Sequence, residues 1–188
     1  MSALRLSLLI GMISLGACNA AISNGPMFTD SQRSGVRVED GLWVAEIPKC
    51  RFDASLPRQQ WPKCAMWLLL KDGKIIEDPD SNDNPANMLI VEGRPTIIQM
   101  SVDDRQGYGF AAFDAPSTTS RLRQLTAWIV KCGTEEKSSK GSAEIHPFGG
   151  FDKNCHPQSE EALRAAASAS RPPASERMHW KWLRADAP

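Results

Sequence analysis

The feature that most constrains the fold of this chain is a β-hairpin signature in its first half. The sequence KCAMWLLLKDGKIIED contains two apolar segments, Ala65–Lys71 and Lys74–Asp78, which are separated by Asp72-Gly73. An Asp-Gly pair between two such segments favours the tight two-residue turn that joins antiparallel strands. The sequence therefore predicts antiparallel β-structure here.

Further short segments with an apolar or alternating composition, bounded by turn-forming residues, predict the other strands. They are GLWVAEI, NMLIVEGRPTIIQMSV, GYGFAAFDA, RLRQLTAWIVKC, SAEIHPF and ERMHWKWLR. We expect RLRQLTAWIVKC, which has a long alternation, to be the longest strand. In ERMHWKWLR the apolar Met178, Trp180 and Trp182 alternate with polar residues, which predicts a half-buried final strand.

One α-helix is predicted before the final strand. The sequence SEEALRAAASAS begins with Ser159, a favourable N-cap, and Glu160 and Glu161 follow in the first turn, where the helix dipole favours acidic side chains. Alanine and leucine fill the helix body, and Pro172 and Pro173 end it. The small apolar face of this helix predicts close packing on a sheet.

Strands in sequence order with short connections form an antiparallel meander. We therefore expect a mainly β fold: a single small barrel or curled sheet over residues 39–186, with one C-terminal α-helix before the last strand. A sheet of this size leaves costly edges unless it closes. Trp43 on the first strand and Trp180 and Trp182 on the last would share one core if those strands pair, with the helix over one opening.

Residues 1–17 have the layout of a signal peptide. Arg5 supplies a positive charge, and Leu6–Leu15 is an apolar run of about ten residues, far shorter than the roughly 20 that span a bilayer. We expect this segment to direct export of the chain.

Leu15-Gly16-Ala17-Cys18 resembles the lipobox of bacterial lipoproteins, in which an aliphatic residue and two small residues precede a cysteine. The resemblance covers only the leader. It implies that Cys18 becomes the first mature residue and carries acyl chains that anchor the protein to a membrane. Asn19 in place of Asp implies the outer membrane of a bacterial envelope, with the domain facing the periplasm or the cell surface. Ordinary signal cleavage after Ala20 is the alternative.

Residues 18–38 follow the leader and are rich in Ser, Asn, Gly and Asp, with no apolar periodicity. We expect them to form a flexible tether between the lipid and the folded domain.

The remaining cysteines, Cys50, Cys64, Cys132 and Cys155, are even in number, as in a disulfide framework of an exported chain. Four cysteines allow three pairings, and proximity in sequence favours Cys50–Cys64 and Cys132–Cys155. A metal or redox site is the alternative, but the sequence has no CxxC motif and the spacings do not match a zinc site. We therefore expect no metal and no other cofactor.

The chain has 22 basic and 22 acidic residues. This balance gives no support to a nucleic-acid partner, which would favour a basic surface. We expect the membrane, through the lipid on Cys18, and an envelope protein as partners.

Gly41-Leu42-Trp43 resembles the Gly-x-Trp motif on the first strand of lipocalins and related calycin barrels. In that family the tryptophan closes one end of the barrel, and a basic residue near the carboxyl end packs over it; Arg184 is the candidate here. The match covers three residues, no further lipocalin motif is visible, and a helix precedes the last strand. An ordinary core tryptophan is the alternative.

The loop EDPDSNDNP carries Asp78, Asp80 and Asn82 at the spacing of a calcium loop. However, Asp83 stands where an EF-hand needs glycine, and Leu89 where it needs the bidentate glutamate. We therefore favour a solvated turn over a cation site.

Catalytic arrangements are sparse. The three histidines are His146, His156 and His179, and the sequence has neither a Gly-x-Ser-x-Gly elbow nor a His-Glu-x-x-His motif. An enzyme is therefore not the favoured class, although a hydrolase with scattered residues stays open.

The segment PRQQWPKC reads as a projecting loop near a Cys50–Cys64 disulfide. Trp61 and Trp67 are expected to present an aromatic anchor with Arg58 and Lys63, because a stapled loop orders its side chains before binding. The alternative is that Trp61 folds back as a lid on the core. We therefore expect a binding or interaction module, with a lipocalin-like carrier of a small apolar ligand as the alternative.

Overall fold

The structure is a computed structural model that describes residues 19–76, 84–102, 107–115, 121–137 and 143–185. The predicted signal peptide and Cys18 lie outside the described residues, as do Asp78, Asp80 and Asn82 of the predicted solvated turn. Within the described ranges the helix is α1 (Glu160–Ala169). The strands in these ranges are β1 (Ile22–Ser23), β2 (Arg37–Val38), β3 (Gly41–Ala45), β4 (Trp67–Lys71), β5 (Lys74–Ile76), β6 (Ala86–Val91), β7 (Thr96–Val102), β8 (Gly107–Phe113), β9 (Arg121–Leu122), β10 (Gln124–Ile129), β11 (Gly133–Lys137), β12 (Ala143–Pro147) and β13 (Met178–Arg184).

Eight of the described strands close into an antiparallel barrel in the order β3-β4-β5-β6-β7-β8-β10-β13. The barrel closes where β13 pairs with β3, and Trp182 lies directly opposite Trp43 there. The mainly β fold, the barrel, and the helix before the last strand are thereby confirmed. So is the pairing of the first and last predicted strands.

Because neighbouring strands run in opposite directions, the barrel has two distinct ends. The turn end is where β3, β5, β7 and β10 begin, and it carries the predicted turn at Asp72-Gly73. The loop end is where those four strands finish, and it carries residues 46–66, which join β3 to β4. Residues 77–83 and 103–106, which join β5 to β6 and β7 to β8, lie outside the described residues.

The barrel interior is filled by apolar side chains. Trp180 and Trp182 pack against this interior core, which confirms that they share it with Trp43. Its buried members are Trp43, Leu70, Ile75, Met88, Ile90, Ile98, Ala111, Phe113, Leu122 and Ala127.

A second core lies outside the barrel wall, under α1. Leu163, Ala166 and Ala167 of the helix pack against outward side chains of β6, β7, β8 and β10, and Trp128 Nε1 donates a hydrogen bond to the Ala167 carbonyl at 2.9 Å. The expectation that the helix covers an opening is therefore wrong. These strands are apolar on both faces, as the unbroken run from Met88 to Val91 indicates, so one face needs a cover.

Residues 19–38 differ from the expected tether. Asn19, Ala21 and Phe28 are buried, and the two residues of β1 pair with β8. The Ser34 N–H donates to the Ile90 carbonyl at 2.8 Å. This segment is held by backbone hydrogen bonds and isolated apolar side chains, which leave no periodic signal in the sequence.

The Cys50–Cys64 and Cys132–Cys155 disulfides are both present, as predicted. The second disulfide lies beside a hairpin, β11–β12, that is separate from the barrel sheet. The predicted strand SAEIHPF forms half of this hairpin instead of a barrel strand.

The segment expected to be the longest strand is interrupted. It forms β9 and the six-residue β10, which is shorter than the seven-residue β7. At the interruption the Trp182 N–H donates to the Arg123 carbonyl at 2.8 Å. In the described part of the chain, no helix has the length and apolarity that crossing a membrane requires.

Candidate functional site

The loop between β3 and β4 is stapled by the Cys50–Cys64 disulfide, whose cysteines are 14 positions apart. Inside it, Asp53 Oδ1 accepts hydrogen bonds from the Ser55 hydroxyl at 2.7 Å and the Ser55 N–H at 2.9 Å. These bonds hold the pKa of the Asp53 carboxyl below its ordinary value. A short 3-10 turn, Arg58–Gln60, follows in the second half. We call residues 46–66 the stapled loop.

Phe52 and Trp61 of the stapled loop form an aromatic cluster with Trp67, the first residue of β4. Trp61 meets Phe52 edge-to-face with ring centroids 4.7 Å apart, and meets Trp67 in the same way at 5.2 Å. The Trp61 Nε1–H donates to the Leu56 carbonyl at 2.9 Å, which fixes the orientation of the indole. The Arg58 guanidinium lies 5.5 Å from the centroid of the Trp67 ring. Such edge-to-face and cation–π contacts stabilise a single arrangement of the four side chains.

The structure brings together three of the four predicted binding residues. Arg58, Trp61 and Trp67 are half-buried in or beside the aromatic cluster, whereas Lys63 is exposed further along the loop. Trp61 folds back onto Phe52 and Trp67, and the interior core is filled by other side chains. Phe52 was not predicted as a site residue, although it is an aromatic side chain within the span of the disulfide.

A cleft of about 550 Å³ lies beside the aromatic cluster, between the stapled loop and the outer face of β3 and β13. Val44 and Leu183 form its floor on the strands, and Ile47 and Phe52 contribute from the loop. Lys181 Nζ and Glu46 Oε1, 3.2 Å apart, form an ion pair between β13 and the loop. The cleft and the aromatic cluster share Phe52, so they form one continuous surface.

The Gly-x-Trp motif lies at the turn end of the barrel. Trp43 is 1% exposed, and its Nε1–H donates to the Glu39 carbonyl at 2.7 Å. Arg184 lies opposite Leu42 in the β13–β3 ladder. Arg123 makes a cation–π contact at this end, with its guanidinium 4.5 Å from the Trp182 ring centroid.

The three histidines lie in three separate places. His146 faces Glu136 on the hairpin at 3.6 Å, and His156 Nδ1 lies 3.1 Å from Asp152 Oδ2 in the turn beside Cys155. His179 Nδ1 lies 3.1 Å from Thr126 Oγ1, at a cleft of about 330 Å³ that Asp114 also lines. Asp114, the one acidic residue among the described residues that line this cleft, pairs with Arg171 and Arg177.

Among the described residues, no group of three or more His, Cys, Asp or Glu side chains is arranged to hold a metal ion. No protein-family model, curated protein or solved structure matches this chain.

Proposed function

We propose that this protein is a lipid-anchored component of a bacterial envelope, outer-membrane and periplasm-facing, whose barrel binds another envelope protein. The lipobox-like Leu15-Gly16-Ala17-Cys18 supports the anchor and the address. The two disulfides support an oxidising compartment such as the periplasm. The binding surface is the aromatic cluster together with the adjoining cleft.

The observation that carries the binding role is a half-buried aromatic cluster held by a disulfide. Tryptophan and arginine are the residues most enriched at binding hot spots, and the cluster presents both in Trp61 and Arg58. Because the disulfide, the Trp61–Leu56 hydrogen bond and the ring contacts order these side chains in advance, little conformational entropy is lost on binding.

The charge of the stapled loop favours an acidic partner surface. Residues 46–66 contain four basic side chains against two acidic ones, which are Glu46 and Asp53. Charge complementarity of this kind raises the association rate and orients the encounter. The basic residues are Lys49, Arg51, Arg58 and Lys63.

The filled interior gives no support to the carrier alternative. A carrier of a small apolar ligand needs an open cavity of several hundred cubic ångströms. In the described barrel the inward positions are occupied by bulky side chains that include Trp43, Met88 and Phe113.

The test begins with the tagged, lipidated protein cross-linked in its own envelope, followed by identification of the captured protein. Its affinity is then measured with the wild-type chain and with Trp61→Ala, Lys63→Ala and Lys74→Ala. Trp61→Ala should weaken binding about 30-fold, the effect of losing a hot spot worth about 2 kcal/mol. Lys63→Ala should slow association, and Lys74→Ala, at the turn end, should bind as the wild type does.

Circular dichroism and non-reducing mass mapping check that each variant is folded and oxidised. Equal affinity for the wild type and Trp61→Ala, with both chains folded, would overturn the stapled loop as the binding surface.

A further inference from the structure

The start of the described chain is fixed to the barrel. Asn19 is 2% exposed, and its carbonyl accepts a hydrogen bond from the Cys132 N–H at 2.7 Å. The Ala21 N–H donates to the Val130 carbonyl at 2.8 Å, immediately after β10 ends at Ile129. An acyl chain on Cys18 would therefore be attached one residue from a fixed point on the domain, with no tether between them.

That fixed point lies at the loop end of the barrel. β10 finishes there at Ile129, and β8 begins there at Gly107. β1 pairs with the start of β8, with Ile22 opposite Gly109. The chain therefore enters the domain beside β8 and β10.

Three exposed apolar side chains lie on the strands near this entry point. Ile22 is 43% exposed, Val102 is 40% exposed and Ile129 is 51% exposed. Ile129 lies opposite Ala111 on β8, and a Cβ atom at Gly109 would lie 3.5 Å from Val102 Cγ2. All three side chains thus lie beside residues 107–111 of β8. We call them the apolar rim.

The apolar rim belongs to the inner side of the sheet. Val102 has the same parity on β7 as Ile98, and Ile129 has the same parity on β10 as Ala127; both Ile98 and Ala127 belong to the interior core. Ile22 lies on the same side of the sheet as Gly109, its partner on β8. The rim residues are exposed because they lie at the strand ends, beyond the last layer of the core.

We infer that the apolar rim rests on the membrane surface into which the lipid on Cys18 inserts, so that the barrel stands on its loop end. This inference depends on the lipid anchor proposed above. Contiguous exposed apolar patches mark a membrane or protein contact, and this patch lies beside the segment from which the anchor departs. The contact is apolar, so it should persist at high salt, where charge attraction is screened. The stapled loop belongs to the same end, so its partner would lie close to the bilayer.

The test uses the full chain, processed and lipidated, with a single added cysteine for an environment-sensitive fluorophore. The native cysteines other than Cys18 are in disulfides and do not react. Val102→Cys and Ile129→Cys place the label on the rim, and Lys71→Cys places it on an exposed residue at the turn end. Each labelled protein is reconstituted into phosphatidylethanolamine–phosphatidylglycerol vesicles at low and high salt. Each is compared with the same label on a Cys18→Ala chain.

In the lipidated chain we expect emission at positions 102 and 129 to rise about two-fold and shift to the blue on vesicle binding, as the label leaves water for the interface. The label at position 71 should stay unchanged. If the protein floats with vesicles while positions 102 and 129 respond as position 71 does, the orientation is overturned and the anchor stands. A rise in emission at all three positions also overturns the orientation, since no single end of the barrel would then rest on the membrane. Failure of the wild-type chain to float would overturn the anchor itself.

Discussion

The side-chain amide of Gln99 completes the backbone hydrogen bonding of Phe28. Gln99 Oε1 accepts from the Phe28 N–H at 3.0 Å and from the Met27 N–H at 2.8 Å, and Gln99 Nε2 donates to the Phe28 carbonyl at 3.1 Å. Gln99 is 4% exposed and Phe28 is 1% exposed. One side chain on the outer face of β7 thus holds the N-terminal segment against the barrel in place of a strand.

Gln99→Leu should therefore lower the free energy of unfolding by about 3 kcal/mol or more, because each buried backbone group left unpaired costs roughly 1–3 kcal/mol. Urea unfolding followed by circular dichroism measures this change. Gln124→Leu, on an exposed position of β10, is the matched control and should change stability by no more than about 0.5 kcal/mol. Equal stabilities for the two variants would contradict the role assigned to Gln99.

Gly41 occupies a position where the closing strand leaves no room for a side chain. A Cβ atom there would lie 2.1 Å from the Arg184 carbonyl oxygen, and the φ angle of +128° is one that other residues rarely adopt. Gly41→Ala should lower the free energy of unfolding by about 3 kcal/mol or more, through clash and backbone strain. Gly25→Ala is the control, because no atom lies within 4 Å of an added Cβ there, and it should unfold as the wild type does.

The Cys50–Cys64 disulfide closes a loop that should order the aromatic cluster and also stabilise the fold. Removing both cysteines, as Cys50→Ser with Cys64→Ser, should cost roughly 3 kcal/mol in the chain-entropy model for a loop of about 15 residues. Thermal unfolding gives the loss in stability. Near-ultraviolet circular dichroism should also lose part of its tryptophan signal, as Trp61 and Trp67 become mobile. An unchanged near-ultraviolet spectrum would show that the disulfide does not order the cluster.

Asp152 should make the stability of the fold depend on pH in the acidic range. Its Oδ1 accepts from the His156 N–H at 2.9 Å and the Asn154 N–H at 2.8 Å, and the bond from His156 is the main reason that the pKa of Asp152 lies below its ordinary value. A lowered folded-state pKa stabilises the fold above the unfolded pKa, near 3.9, and this stability disappears as the pH falls through the folded value.

Asp152→Ala should therefore be less stable than the wild type at about pH 5, with the difference shrinking below about pH 4. Thermal melts across this range provide the measurement. Asp152→Asn keeps one oxygen acceptor but does not ionise at this position, so the wild type should lose stability relative to it as the pH falls. A wild-type advantage that grows in acid would contradict the assignment.

Cys18→Ala tests the anchor directly. The acyl chains are expected to hold the protein in the membrane pellet, because two or more chains anchor stably. The variant should move to the soluble or unprocessed fraction, and mass spectrometry should find acyl mass on the wild-type chain only. Membrane association of the variant without fatty acid would exclude lipid on Cys18 as the anchor.

The barrel strands and the helix were predictable because their signals are local. The chain forms the hairpin turn at Asp72-Gly73, as the sequence predicts. The Ser159 hydroxyl accepts a hydrogen bond from the Ala162 N–H at 3.2 Å, as an N-cap should. The alternation in the last strand placed Trp180 and Trp182 in the interior core. Of the proposed binding surface, Trp61, Trp67 and Arg58 were predicted from the aromatic and basic residues near a disulfide.

The parts that were missed depend on contacts between distant residues. Phe28 and Gln99 meet across 71 positions, and nothing near Phe28 marks it as a core residue. The position of the helix was missed because it depends on the apolar side chains on both faces of β6 to β8. A strand that is apolar on both faces gives the same continuous apolar sequence as a buried helix, so periodicity does not distinguish the two. The cleft was missed because β13 forms part of it, and Lys181 on β13 lies 135 positions after its ion-pair partner Glu46.

The closure of the barrel by its first and last strands sets the order in which the chain can mature. During synthesis the N-terminal end is available first, but the edge of β3 has no partner until residues 178–184 follow. Until then the edges of an unfinished sheet are open to other chains, and a contact so distant in sequence is slow to form. We therefore expect the pairing of β13 with β3 to complete the barrel late in folding, and we expect a chain truncated before Met178 to be a substrate for chaperones and proteases.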